Sequence, residues 1–123
     1  MNQIDPDLVE RLKELGLRLI DQREARVLVP ALGNESGFWF GGGNFVQESD
    51  GNILICGRFR NPGDARTGTG AGARGLEFAI FRGSSPDADF AKVLSFSKSA
   101  LSVNEEVVSI EGASLLQSER APS

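Results

Sequence analysis

The sequence predicts an all-β fold that is preceded by a short N-terminal helix. Near the N-terminus, Leu8, Leu12 and Leu15 recur at the three- and four-residue spacing of one helix face. Further along, short apolar runs alternate with turn signals, of which Asp50-Gly51 is the strongest hairpin signal. With 123 residues, 40% hydrophobic and 24% charged, the chain has the size and composition of one folded domain.

The predicted helix has a signal at each end. Asp5 is a candidate N-cap, and Pro6 suits the first helical position because its missing N–H would be unpaired there anyway. Gly16 is the predicted stop, since glycine readily adopts the left-handed conformation that ends helices. We therefore divide the chain into a helix at residues 1–16 and a β domain at residues 17–123, and expect the apolar helix face to lie against another surface.

Strand patterns follow the helix. A period of two over Leu17–Leu19 and Val27–Val29 predicts one strand or two short ones, followed by a loop at residues 32–36. A long Gly-, Ala- and Thr-rich loop at residues 61–75 separates two of the later strands. These later strands are predicted at Phe45–Gln47, Ile53–Phe59, Leu76–Arg82 and Phe90–Phe96, with one more from Val107 or Val108 towards Leu116.

Consecutive antiparallel strands of this kind form a meander sheet, which is the unit of a β-propeller blade. A lone blade cannot bury both faces, because repeat architectures are stabilised by stacked neighbours. The fold prediction is therefore a partial β-propeller, with one four-stranded blade and the first strand of a second in residues 17–123. A self-contained β-sandwich or small barrel is the alternative.

Composition excludes several classes of function. The chain contains no histidine, which excludes His-dependent nucleophiles and His-ligated metal sites. A net charge of -4 argues against nucleic-acid binding. The single cysteine, Cys56, is expected to be a buried thiol. Because no apolar run could span a membrane and the acidic start is unlike a signal peptide, we expect a cytoplasmic protein without a metal or cofactor.

The most informative polar feature directly follows an apolar run. The stretch GRFRNPGDARTG, residues 57–68, places Arg58, Arg60 and Asp64 among glycines. Arg58 and Arg60 alternate with Phe59, so both arginines are predicted on one strand face. Paired guanidinium groups can hold a carboxylate ionised and donate to sugar hydroxyls. They can equally form a structural ion-pair cluster, and both interpretations remain open here.

Several segments together resemble a known superfamily. They are GFWFGGGNFVQESDGNILICGRFRNPGDARTG, RGLEFAIFR, KVLSFSK and VVSIEGASLL. This pattern, over about residues 17–117, resembles the N-terminal part of the five-bladed β-propeller glycoside hydrolases, the arabinanase, β-xylosidase and β-fructosidase superfamily. The resemblance implies that GGGNFV and IEGASLL begin the inner strands of two successive blades, at a funnel where carboxylates act on sugar.

The sequence departs from that superfamily in two respects. Asn44 stands where the common families place an aspartate, and asparagine cannot act as a general base. The blade that supplies the usual general acid has no counterpart in this sequence. The resemblance therefore implies a glycoside hydrolase-like protein that acts on or binds carbohydrate, as an N-terminal portion that is catalytically incomplete alone. A non-catalytic carbohydrate-binding or protein-interaction β-domain is the alternative.

Two carboxylates are the candidate catalytic residues, because glycoside hydrolysis uses a pair of carboxyl groups across the scissile bond. Asp64 lies on the long loop beside the arginines, and Glu111 precedes Gly112 at the head of the second predicted inner strand. The plainer interpretations are a turn aspartate for Asp64 and a solvent-exposed edge glutamate for Glu111.

Four other residues are candidates for binding the substrate. Arg58, Arg60 and Asn44 could hydrogen-bond to sugar hydroxyls, and Trp39 could offer a flat face to sugar C–H groups. Their plainer roles are an ion pair for the arginines, a turn or bulge for Asn44 and core packing for Trp39. Besides carbohydrate, a second copy of the chain is a possible partner, through an open edge strand.

Overall fold

The computed structural model describes residues 4–63 and 74–118. In these ranges the strands form one five-stranded antiparallel sheet, ordered β1-β3-β4-β5, with β2 also paired to β3. The predicted all-β fold with an N-terminal helix is therefore confirmed. The elements in chain order are α1 (Pro6–Leu19), β1 (Trp39–Gly41), β2 (Phe45–Gln47), β3 (Ile53–Arg60), β4 (Glu77–Gly83), β5 (Ala91–Ser97) and α2 (Lys98–Leu101).

Strands β1 and β2 lie on the same edge of the sheet and pair with opposite ends of β3. Trp39 pairs with Arg60 at one end, and Phe45 pairs with Ile55 towards the other. The residues between them, Gly42-Gly43-Asn44, interrupt the ladder, although the Cys56 N–H still donates to the Asn44 carbonyl at 2.9 Å. The sheet is thus an antiparallel meander whose outer strand is broken in the middle.

The predicted hairpin at Asp50-Gly51 is confirmed and joins β2 to β3. Gly51 has a φ of 87°, a conformation that favours glycine. The Glu48 N–H donates to the Asn52 carbonyl at 2.8 Å and closes the turn. The next two strands, β4 and β5, lie within one residue of their predicted bounds.

One face of the sheet holds an aromatic core. The Phe40 ring centroid lies 4.9 Å from that of Phe59 and 5.3 Å from that of Phe81. Val29 and Phe90 pack against this group. Because side chains alternate along a strand, the residues on either side of Phe59 project from the opposite face, which is called the arginine face below.

The N-terminal region differs from the prediction. Asp5 caps α1, with its carboxylate accepting the Asp7 N–H at 3.0 Å, as expected. However, the helix continues through Gly16 to Leu19, so Gly16 does not end it and Leu17–Leu19 is not a strand. Gly16 does not have a positive φ, and the Ile20 N–H still bonds to its carbonyl at 3.2 Å, so the helical ladder is unbroken.

One further expectation for this region was wrong. Val27–Val29 does not form a strand; the segment is held instead by the Arg26 guanidinium, which donates to the Ala88 carbonyl at 3.1 Å. No residue of α1 is buried, so its apolar face does not pack against the described part of the β domain. Within the described residues, no helix has the length and apolar character needed to cross a bilayer.

Residues 107–118 are called the C-terminal segment. The strand predicted from Val107 or Val108 towards Leu116 does not form. Isolated backbone bonds hold the segment instead: Ile110 N–H to the Gly75 carbonyl and Ala113 N–H to the Gly42 carbonyl, both 3.3 Å. The nearly buried Lys98 also donates to the Val108 carbonyl. A continuous ladder does not form because the segment lies beside the break in the outer strand, where the partner backbone is irregular.

We predict that Gly43→Ala destabilises the protein strongly, because a Cβ at position 43 would collide with the backbone carbonyl of Cys56. The expected loss in the free energy of unfolding is about 2 kcal/mol or more, typical of overpacking at a site that cannot relax. Thermal unfolding followed by circular dichroism measures it.

The matched control is Gly16→Ala. A Cβ there meets nothing within 4 Å, and alanine is favoured over glycine inside a helix by roughly 0.5–1 kcal/mol. Equal melting temperatures for the two variants would contradict the close approach at Gly43.

Candidate functional site

The candidate site lies where β1, the end of β3 and the C-terminal segment meet. Trp39 pairs with Arg60, and Gly41 with Arg58, so these positions lie side by side across two strands. The C-terminal segment brings Glu111 to the same place. These residues, Trp39, Arg58, Arg60 and Glu111, are called the arginine cluster.

Arg58 is the centre of the cluster. Although charged, it is only 9% exposed. Its Nη2 donates to Glu111 Oε2 at 3.2 Å, and its Nη1 donates to the Glu111 main-chain carbonyl. The Arg58 Cζ also lies 5.0 Å from the Trp39 ring centroid, within cation–π distance. The buried charge is therefore paired, hydrogen-bonded and covered by an aromatic ring.

Gly42 provides the space for that guanidinium. A Cβ at this position would collide with Arg58 Nη1 and come within 3.2 Å of the Glu111 carbonyl. Gly42 also has a φ of 73°, which other residues rarely adopt. The break in the outer strand is thus what allows the Arg58 guanidinium and the C-terminal segment to meet.

Arg60 is held differently. Its Cζ lies 5.8 Å from the Trp39 ring centroid. Its Nε is buried and has no hydrogen-bond partner among the described residues. Trp39 itself is half-buried and does not belong to the aromatic core on the other face. The Arg60 guanidinium, beside Trp39, therefore has an unpaired hydrogen-bond donor in the described part of the chain, whereas Arg58 is hydrogen-bonded to Glu111.

Glu111 is the exposed member, with 66% of its side chain accessible to solvent. The Ser109 hydroxyl donates to Oε1 at 2.7 Å. This hydrogen bond is the largest cause that lowers the pKa of Glu111 below its usual range. Burial opposes it, and the charges of Arg58, Arg74 and Arg60 lower the pKa further. The carboxylate is consequently ionised at neutral pH, and its chemistry is that of an acceptor, a base or a nucleophile.

Asn44 acts beside the cluster as a clamp on the C-terminal segment. Its Oδ1 accepts the Leu115 N–H at 2.7 Å, and its Nδ2 donates to the Leu115 carbonyl at 3.0 Å. The thiol of Cys56 donates to the same Oδ1 at 3.2 Å. The side-chain amide thus replaces the backbone partner that the broken strand cannot offer.

The structure brings together four of the residues singled out in the sequence, Trp39, Arg58, Arg60 and Glu111, with Asn44 nearby. The other candidate carboxylate, Asp64, lies outside the described residues. The expectation of a buried, unpaired Cys56 is confirmed. In the described part of the chain, no group of three potential metal-ligating side chains is present.

Sequence reasoning missed three contributors: Gly42, Arg74 and Ser109. The signal for Ser109 is its spacing of two from Glu111, since alternate residues of an extended chain lie on one side. Arg74 acts on Glu111 from the far end of the loop that follows β3. No local pattern connects Gly42 or Arg74 with Glu111, because each lies more than thirty residues away from it in the chain.

We predict that Asn44→Ala weakens the attachment of the C-terminal segment and lowers the free energy of unfolding by about 1–3 kcal/mol, because the Leu115 backbone groups lose their partner. Chemical denaturation measures the loss. The exposed Asn34 supplies the control, and Asn34→Ala should change stability by less than about 0.5 kcal/mol. A similar loss for both variants would contradict the clamp.

Glu111 should make stability depend on pH in acid. Because its pKa is lowered in the folded protein, its contribution is complete above the ordinary glutamate value of about 4.3 and is lost as the pH falls through the folded-state value. The melting temperature of Glu111→Gln should therefore lie below wild type at neutral pH, and the two should converge in acid. Glu35→Gln, an exposed control, should follow wild type throughout. A gap that widens in acid would contradict this assignment.

No family model, no curated protein and no solved structure matches the chain. The proposed function therefore rests on the geometry of the arginine cluster.

Proposed function

We propose that the chain is a glycoside hydrolase-like β-domain that binds carbohydrate and is not a complete catalyst alone. The observation that carries the proposal is the arginine cluster, in which an aromatic ring, guanidinium donors and an ionised carboxylate meet at one end of the sheet. Guanidinium and carboxylate groups hydrogen-bond to hydroxyls, and an aromatic face can cover the apolar side of a sugar ring.

The state of Glu111 favours binding over catalysis. A glycosidase needs one protonated carboxyl group as the general acid and a second carboxylate as base or nucleophile. The lowered pKa of Glu111 excludes the first role at neutral pH. All the charged side chains that shift this pKa are arginines, and they hold the carboxylate ionised. A catalytic role for Glu111 would require Asp64 or another carboxylate as its partner.

A partial propeller is part of this proposal, and the arginine face supports it. Phe78 and Phe96 stack there at 6.4 Å between ring centroids, and Leu94 and Phe96 are exposed. In a propeller the next blade covers such a face. The C-terminal segment already lies on this face, against Cys56 and Arg58. The same apolar surface favours the second candidate, a non-catalytic protein-interaction domain.

The proposal also covers self-association and cellular location. We propose self-association through β5, since it is the outer strand of the sheet in the described part of the chain. A register shift opposite Ile80 and Phe81 makes that edge irregular, which limits such pairing. Cytoplasmic residence is supported by the unpaired thiol of Cys56, since a reducing compartment preserves free thiols.

Binding can be tested with a panel of arabino-, xylo-, fructo- and uronate oligosaccharides, using nuclear magnetic resonance titration and calorimetry. We expect a saccharide that shifts the Trp39 indole resonance, and at least about a tenfold weaker affinity for Trp39→Ala, the equivalent of about 1.4 kcal/mol. Trp39→Phe should retain part of the affinity because it keeps an aromatic ring.

The control is Phe96→Ala, which removes an aromatic ring from the same face of the sheet but on β5, two strands away from Arg58, and should leave the affinity unchanged. No hydrolysis by the chain alone is expected. Failure of every saccharide to bind, or undiminished binding by folded Trp39→Ala, would refute the proposed function.

A further inference from the structure

We propose that the arginine cluster selects an acidic sugar, with a uronate carboxylate bound by Arg60. This inference rests on the proposed function and names the substrate class of the same site. It is carried by the charge balance of the cluster, by an unsatisfied donor on Arg60 and by the kind of acceptor that Glu111 presents.

The charges of the cluster are not balanced among the described residues. Arg58 forms an ion pair with Glu111 at 3.2 Å, Arg60 lies with Arg58 on the same Trp39 ring, and the charges of Arg58, Arg60 and Arg74 all lower the pKa of Glu111. One carboxylate therefore faces three cations, in a chain whose formal net charge is -4. A local excess of positive charge in an acidic protein attracts an anionic group to this point.

Arg60 is the guanidinium available to a ligand, because its side chain is partly exposed. Arg58 is already engaged by both the carbonyl and the carboxylate of Glu111. The Arg60 Nε, in contrast, is buried and has no hydrogen-bond partner among the described residues. A buried donor without an acceptor destabilises the folded chain, and the planar carboxylate of a ligand matches the guanidinium geometry. A carboxylate that binds the exposed part of the Arg60 guanidinium can draw Nε into the same bidentate contact and satisfy this donor.

The ligand must also supply hydrogen-bond donors. The Glu111 carboxylate is two-thirds exposed and is ionised, so it presents acceptor oxygens towards solvent beside the arginines. A uronic acid carries hydroxyl donors and a carboxylate on one ring, and so complements both groups at once. The acidic side chain of a peptide lacks those hydroxyls, and a free inorganic anion lacks the ring that would cover Trp39.

The test compares trigalacturonate with its carboxyl-reduced neutral counterpart, by calorimetry on the full chain. We expect the acidic trisaccharide to bind at least tenfold more tightly, and its affinity to fall with added salt because the preference is electrostatic. In Arg60→Gln the acidic-to-neutral affinity ratio should fall towards one, and Arg60→Lys should retain part of it. Circular dichroism establishes that each variant is folded.

The matched control is Arg82→Gln. Arg82 also forms ion pairs, with Glu48 at 2.8 Å and Asp50 at 3.0 Å, but these lie at the β2–β3 hairpin, away from the cluster. Its loss should leave the acidic-to-neutral ratio at the wild-type value. An equal change in both variants would overturn the assignment to Arg60.

The outcomes separate this inference from the proposed function. Equal affinity for the acidic and neutral trisaccharides overturns the inference and leaves carbohydrate binding in place. Binding of neither, with no other saccharide bound, overturns both. Equal binding of inorganic sulfate or of a polyglutamate peptide shows an anion site without sugar selection, and also overturns the inference.

Discussion

The contact between Arg58 and Glu111 is the interaction on which the rest of the site depends. Arg58 lies on the central strand pair of the sheet, and its guanidinium bonds to both the main chain and the side chain of Glu111. It therefore joins the sheet to a segment that has no regular ladder of its own. A nearly buried arginine without that carboxylate would be costly, so the pair couples the position of the C-terminal segment to the stability of the sheet.

The contact between Arg58 and Glu111 requires the two glycines before Asn44, Gly42 and Gly43. Any other residue would place a Cβ against the Arg58 guanidinium at position 42 and against the Cys56 carbonyl at position 43. The glycines avoid both collisions. The break in the strand leaves backbone groups without strand partners, and the Asn44 amide compensates by binding Leu115 at both polar groups. The polar residues at this end of the sheet thus have structural roles that do not depend on a ligand.

Structural and binding roles are divided among the members of the arginine cluster and the neighbouring Asn44. Arg58 and Asn44 have their polar atoms engaged within the chain, which fits the ion-pair and bulge alternatives that the sequence left open. Glu111 faces solvent, and the Arg60 Nε lacks a partner in the described residues. This asymmetry is why the proposals assign ligand contact to Arg60, Trp39 and Glu111, and assign the attachment of the C-terminal segment to Arg58 and Asn44.

The sequence by itself determined the local elements whose signals are local. Asp5 and Pro6 begin α1 as their capping chemistry requires, and Asp50-Gly51 forms the hairpin turn. The alternation around Phe59 correctly separated the arginine face from the aromatic core. The prediction that Gly16 ends the helix was wrong, because a glycine near the end of an apolar stripe can either end a helix or be an ordinary helical residue.

Only the tertiary structure decided what depends on contacts between distant segments. The region from Val107 has a strand-like pattern, but a strand needs a continuous partner, and the broken edge at Gly42-Gly43 does not offer one. The lowered pKa of Glu111 likewise follows from Ser109 together with arginines from other parts of the chain. Residue type and spacing predicted which groups were candidates. Their partners, and hence their charge state and exposure, were decided by how the C-terminal segment packs on the sheet.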